Sequence, residues 1–390
     1  MDGFVERYLS LGLRLGRLVP GLVDSYYGLK ELSERVDAEG DPDPRELAVE
    51  ASSLLDSLAD AIPEPGRARW LRAQLVGLET VARRLSGVEI DYVDEVERCY
   101  GIRPELVPDE EFAGAQSALD EVLPGTGPVR ERYEAWQDRH TIEPAQLMPL
   151  VESLAAELRE RTATLVGLPD GESVELELVR DEPWTAFNYY LGDLRSRAVF
   201  CTDLPWYSTM LVNAVAHELY PGHHTEAATK EALLVRDRGW LEETAALIGT
   251  PQCVVSEGIA TIAREVVAGE EGVDRMTARL LEPSGVRYDA EVASSVREHA
   301  EVLAHVGSNV ALLLHAEGRP LAEVREYARR WSLNSDARIE KGFDFILDPT
   351  WRAYTFCYTE GLRLARGFVD GDPARFRRLV TEQLTPADLS

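Results

Sequence analysis

Apolar positions recur with helical spacing along most of this chain. Residues 4–37 read as helix, interrupted at Val19-Pro20-Gly21. Leu9, Leu11, Leu13, Leu15 and Leu18 are too dense for a single stripe, which predicts burial on more than one side. Asp41-Pro42-Asp43-Pro44 reads as a turn whose end can start the next helix. Leu47, Leu54, Leu55, Leu58 and Ala61 then keep helical spacing up to Pro63-Glu64-Pro65-Gly66. Further helical windows cover 67–86, 108–123, 128–139 and 144–166.

The texture changes after residue 167. Ser173 to Arg180 alternates apolar and polar residues, which is strand periodicity. Aromatic and β-branched residues follow at Trp184–Tyr190, and Ser196–Thr202 reads as a third strand after a turn at Gly192-Asp193. Helical texture resumes at 207–220 and continues to the end. The pattern predicts a mainly α fold with a small antiparallel β-sheet just before the histidine-rich stretch described below. No repeat, low-complexity segment or flexible linker divides the chain, so residues 1–390 are expected to form one unit, with a helical part at 1–166 and a sheet-plus-helix part at 167–390.

Composition narrows the function classes. With 45% hydrophobic and 28% charged residues the chain is ordinary for a globular protein. A formal net charge of -28 disfavours nucleic acid, because phosphates would be repelled and no basic stripe compensates. No stretch approaches the apolar length that spans a bilayer. The start, Met-Asp-Gly-Phe-Val-Glu-Arg, lacks the pattern of a secretory signal. Cys99, Cys201, Cys253 and Cys357 are scattered without a CxxC pair and are expected to be reduced. A cytoplasmic location is the expectation, with no membrane or nucleic-acid partner.

The sharpest chemical signal is His-Glu-Leu-Tyr-Pro-Gly-His-His at 217–224, which holds three of the seven histidines. Neutral imidazoles suit Zn²⁺, and a carboxylate beside the first can take a proton from a water at the metal. The usual zinc-protease spacing puts the second histidine four residues after the first. Here that position is Pro221, and His223 comes six residues after His217. In an unbroken helix His223 would face about 120° away and lie roughly 9 Å further along. Pro221 and Gly222 predict a break that could swing His223 back, although spacing alone does not choose between His223 and His224. Ser208 is a candidate cap for the helix leading to His217, and Ser256 for one carrying Glu257 in its first turn. Glu242 and Glu243 are rival third ligands, closer in sequence.

The 217–224 stretch resembles the hallmark of a bacterial family catalogued as domain of unknown function 885, whose members resemble thermostable (Taq-type) zinc carboxypeptidases of the gluzincin group. Val19-Pro-Gly-Leu-Val-Asp-Ser-Tyr-Tyr-Gly28 is similar to the family's amino-terminal segment, and Tyr358-Thr-Glu-Gly361 to its late Tyr-x-x-Gly element. Ser256-Glu-Gly-Ile-Ala260 resembles its Glu-Gly-Trp-Ala element, with Ile259 where Trp is usual. Leu314-His315-Ala-Glu-Gly318 also fits, but the acidic residue usual before it is missing from Asn309-Val-Ala-Leu312. The resemblance implies a gluzincin-like helical bundle. It further implies His217, His223 and Glu257 as Zn²⁺ ligands and Glu218 as general base.

Tyr358 is the first candidate to brace an oxyanion, with Tyr354 four residues earlier expected on the same helix face. Arg352 could pair with a substrate carboxylate, and Tyr189 could line a subsite. The reading is a zinc-dependent hydrolase of peptide bonds, a carboxypeptidase or oligopeptidase acting on short peptides. The alternatives are a zinc amidohydrolase acting on a non-peptide amide, and a non-catalytic metal-binding helical interaction protein.

Overall fold

A computed structural model describes residues 3–182 and 184–390; Met1, Asp2 and Pro183, which the one-unit reading also covers, lie outside the described residues. The first part runs α1 (Gly3–Leu18), β1 (Val23–Tyr26), α2 (Lys30–Asp37), α3 (Pro44–Ala61), α4 (Pro65–Leu85), α5 (Tyr92–Tyr100), α6 (Asp109–Val122), α7 (Val129–Asp138) and α8 (Pro144–Leu165). The centre holds β2 (Ser173–Val179), β3 (Ala186–Gly192), β4 (Arg195–Cys201), α9 (Ser208–Glu218), α10 (His223–Lys230), β5 (Ala245–Leu247) and α11 (Gln252–Ala268). The chain closes with α12 (Val273–Leu281), α13 (Ala290–His315), α14 (Leu321–Trp331), α15 (Asp336–Leu347), α16 (Thr355–Val369) and α17 (Pro373–Thr381). The fold is mainly helical with small sheets, as the apolar periodicity predicts.

Local chemistry explains many of these boundaries. Asp43 accepts the Arg45 amide, and Pro44 stands where a helix needs no amide donor, so α3 starts there. The dense leucines of α1 are buried on more than one side: Tyr8, Leu9, Leu11 and Leu15 are all inaccessible. Two details of the helical reading change. The break after α1 is longer than Val19-Pro20-Gly21 and contains β1, which pairs antiparallel with β5. Ser208 is the first residue of α9 and its hydroxyl donates to the Arg287 carbonyl instead of capping.

The expected antiparallel sheet is mixed. Strand order is β2-β4-β3, with β2 parallel and β3 antiparallel to β4. Asp193 and Leu194, both at positive φ, close the β3–β4 hairpin. Burial explains the order. Ala198, Val199, Phe200 and Cys201 of β4 are buried on both faces, so β4 takes the centre, whereas β2 leaves Glu175 and Glu177 accessible at an edge. Alternation in 173–180 marks a strand but not its neighbour.

Two cores meet at α11. One gathers α1, α3, α4, α5 and α13–α17 and includes Val254, Val255, Ile259 and Ile262. The other gathers α8, the three-stranded sheet, α9 and α12 and includes Ala263, Val267 and Ala268. This second core spans the soft boundary near residue 167, since α8 packs with the sheet. On its other flank α11 crosses α16 at Gly258 and Gly361. A Cβ on Gly361 would lie 2.6 Å from the Val254 carbonyl oxygen, and one on Gly258 2.6 Å from that of Gly361. Backbone meets backbone at this crossing, so no side chain can move aside. Gly361→Ala is expected to cost about 1–3 kcal/mol, seen as a lower urea midpoint at unchanged m-value; an unchanged midpoint would show that the crossing is not tight.

Candidate metal centre

α9 brings Leu211, Val212, Val215 and Ala216 into the second core, which fixes the rotation at which His217 and Glu218 emerge at its last turn. The helix stops at Glu218. Tyr220-Pro221 is a cis peptide, and the Gly222 amide returns to the Ala216 carbonyl at 2.9 Å. A Cβ on Gly222 would lie 1.8 Å from the His217 carbonyl oxygen. Glycine is therefore required at this close approach. α10 restarts at His223 and returns that imidazole to His217, with the two Nε2 atoms 3.2 Å apart.

Glu257 completes the cluster from α11. Its Oε2 lies 3.4 Å from His217 Nε2 and its Oε1 3.9 Å from His223 Nε2. One ligand atom from each of the three residues lies within 4.8 Å of the other two. Oε1 accepts from the Tyr354 hydroxyl at 2.7 Å, but Oε2 is buried without a donor. Burial holds His217 well below the ordinary histidine range, with His223 adding to the effect, and burial also lowers His223. Both rings are therefore neutral at pH 7, with lone pairs to share. Burial pushes Glu257 up to about 8. Two facing imidazole nitrogens and an orphaned carboxylate oxygen make a donor set that fits a divalent cation such as Zn²⁺.

A relay behind His223 sets its tautomer. Ser256 donates to Glu226 at 2.6 Å, leaving its lone pair for His223 Nδ1–H at 3.2 Å, so Nε2 is left unprotonated toward the cluster. Lys230 holds Glu226 in turn, at 2.6 Å, and both are buried. Ser256 thus orients a histidine from the interior of α11 instead of capping it. His224 is turned away: Nδ1 meets Ser196 and Nε2 meets Glu172, each at 2.8 Å. Glu172 is also held by the Tyr220 hydroxyl and by Arg159. Of the two candidates, only His223 joins the cluster. The rival acids are committed elsewhere, Glu242 to Arg67 and Glu243 to Gln383.

The Glu218 carboxylate stands free of hydrogen bonds and ion pairs among the described residues, beside Glu257. Burial first, then the Glu257 and Asp24 charges, push it well above the usual carboxylate range. Asn188 of β3 anchors the Glu218 backbone carbonyl at 2.8 Å. Tyr358 keeps 40% of its surface accessible. Burial, followed by the Glu257 and Glu218 charges, raises its pKa well above 10, so it remains a hydrogen-bond donor. A separate recess of about 290 Å³, lined by Tyr27, Gly28, Gly192 and Glu231 among others, contains none of these groups.

The remaining expected site residues are placed differently. Tyr354 is buried and its hydroxyl is taken by Glu257, so it orients a carboxylate and cannot contact substrate through that hydroxyl. Arg352 is joined to buried Glu95 and lies over the Tyr92 ring, which leaves it unavailable for a substrate carboxylate. Tyr189 lies under Arg197 and against Phe187, on the face of β3 opposite Asn188. Sequence reasoning missed Asp24. It sits at the bulge of β1 between Val23 and Ser25, and its charge acts on Glu218, Glu257 and Tyr358. Bulges re-aim side chains in this way, but nothing in Val-Asp-Ser announces one.

Glu243 and Glu257 have folded-state values of about 7 and 8, each above the ordinary carboxylate value. The metal-free folded state therefore binds extra protons. The stability that these carboxyls contribute is full below the unfolded carboxylate range and is lost as pH rises through the folded values. Calorimetry of chelator-treated protein should show Tm falling between about pH 7 and about pH 8.5, above the range in which the depressed His217 and His223 act in the opposite direction. Glu257→Gln should flatten the upper part of that fall, and added zinc should raise Tm most at the alkaline end. A Tm that stays level, or a profile indifferent to Glu257→Gln, would contradict this assignment.

No protein-family model and no curated protein matches the sequence. Among solved structures, the chain is similar to a provisionally assigned lipoprotein from Colwellia psychrerythraea, with a TM-score of 0.55, 14% identity and coverage of 89% of this chain and 68% of that one. The likeness is one of fold, and no described helix is long and apolar enough to cross a membrane.

Proposed function

We propose that this chain is a zinc-dependent hydrolase of peptide bonds, gluzincin-like in its active site and akin to the domain of unknown function 885 proteins. The observation that carries the reading is the convergence of His217, His223 and Glu257, with one Glu257 oxygen buried and unpartnered. These three residues would hold the ion. Bound there, a divalent cation would supply positive charge that polarises a carbonyl and acidifies a water.

The chain's own groups supply the rest. Glu218 is adjacent to the cluster and its carboxylate is free of partners among the described residues, as a base that must accept a proton and return it to a leaving amine requires. Its partly apolar surroundings favour the protonated form halfway through the reaction, and a nearby cation favours the ionised form at the start. Tyr358 remains protonated and accessible, so its hydroxyl can donate to charge developing on the carbonyl oxygen. Tyr354 keeps Glu257 oriented, and the Ser256–Glu226–Lys230 relay does the same for His223.

The test pairs metal analysis with cleavage of a mixed peptide library. Glu218→Gln is expected to keep stoichiometric zinc and lose about 10²–10⁴ in kcat, and His223→Ala to lose the metal itself. Screening acylated amino acids beside the peptides separates a peptidase from an amidohydrolase acting on other amides. Zinc-loaded Glu218→Gln with undiminished turnover would exclude Glu218 as the base.

A further inference from the structure

α11 aims more than Glu257 at α9. Glu257, Ala260 and Arg264 recur at three- and four-residue spacing, the stripe that one face of a helix presents, and α9 packs against α11. The His217 imidazole feels the whole stripe: Glu257 at 3.4 Å, the Ala260 backbone, and the charge of the Arg264 guanidinium. Arg264 arrives there with nothing to hold. Among the described residues no hydrogen bond or ion pair reaches its guanidinium, and its Nε is sealed from solvent without an acceptor.

The acids around it are committed to other cations. Glu265 and Glu301 both accept from Arg366, and Asp274 holds Arg297 together with the Tyr288 hydroxyl. Arg297, on α13, adds a repulsive like charge. Arg264 is only partly accessible, and partly withdrawing a guanidinium from water without an anion is unfavourable, so truncating it would cost little. In a chain with 69 acidic residues against 41 basic ones, an arginine left without one needs a reason. The charges acting on Glu218 come from Glu257 and then Asp24, and those on Glu257 from Asp24 and then Glu226, all of them acidic. The surroundings of the cluster are therefore polarised, with carboxylates toward Glu218 and a guanidinium toward His217.

We infer that Arg264 is the anion-reading residue of the substrate site and takes a carboxylate of the bound peptide. The inference rests on the hydrolase reading for the position of the scissile bond, but the binding it describes needs no turnover. Two sources can supply that carboxylate: the chain terminus of a peptide cut from its carboxyl end, or an acidic side chain beside the cut.

Calorimetric titration of the full-length, zinc-loaded protein separates them, with Glu218→Gln present to hold turnover off. The probes are acetyl-Ala-Ala, its carboxyl-terminal amide, and acetyl-Ala-Glu-amide. An acid probe is expected to bind at least about tenfold tighter than the neutral amide. Preference for acetyl-Ala-Ala assigns the terminus, and preference for acetyl-Ala-Glu-amide assigns the side chain. Arg264→Met should abolish the preference and Arg264→Lys should keep part of it. Without ligand, Arg264→Met should melt at or above the parent Tm, because no internal partner is lost. Equal binding of all three probes, a preference surviving in Arg264→Met, or a lower Tm for that variant would overturn the inference. If carboxylate discrimination is present while no peptide is ever cleaved, the hydrolase reading fails and the anion site stands.

Discussion

The site depends on one close backbone passage. Gly222 lies against the carbonyl of His217, where any side chain would collide, and that contact lets the chain leave α9 at Glu218 and re-enter a helix at His223. Without it, two imidazoles six residues apart would point in different directions. With it, they face each other at 3.2 Å on neighbouring helices, α9 in the second core and α10 packed through Ala228 against Tyr190 and Leu194.

The surroundings hold this geometry at an electrostatic cost. Glu218 and Glu257 are buried near each other and near Asp24, and each is pushed toward its protonated form. The imidazoles are desolvated and neutral. Such an arrangement is poor for stability and good for binding a cation, which would offset the carboxylates and use the lone pairs. Buried donors such as Tyr354 and Ser256 fix orientation without neutralising the charge. The cluster lies where two cores meet along α11, so small shifts between helices are resisted from both flanks.

Much of the helical layout follows from apolar spacing, and the break at Pro221-Gly222 follows from backbone chemistry. Of the residues that gather there, His217 could be named from the sequence, with His223 and His224 as alternatives for the second; the choice of His223 and of Glu257 came only through a resemblance, because spacing does not divide the two histidines and thirty-odd residues separate Glu257 from the motif. What sequence could not give was partnership. Alternation in 173–180 says nothing of β2 lying parallel to β4. Arg352 and Tyr354 were reasonable substrate contacts until Glu95 and Glu257 were found holding them. His224 and His223 are equivalent in sequence and divided only by Glu172 and Ser196. Asp24 and Arg264 escaped attention because their importance comes from the absence of partners, which no sequence pattern encodes.

The most direct measurement is an anomalous-scattering map at the zinc absorption edge, from crystals of the protein grown with zinc. A single strong peak bonded to His217 Nε2, His223 Nε2 and a Glu257 oxygen, with Glu218 close by but not coordinated, is the predicted result. Zinc bound elsewhere with these three side chains uncoordinated, or a closed shell in which Glu218 is itself a ligand, would contradict the account.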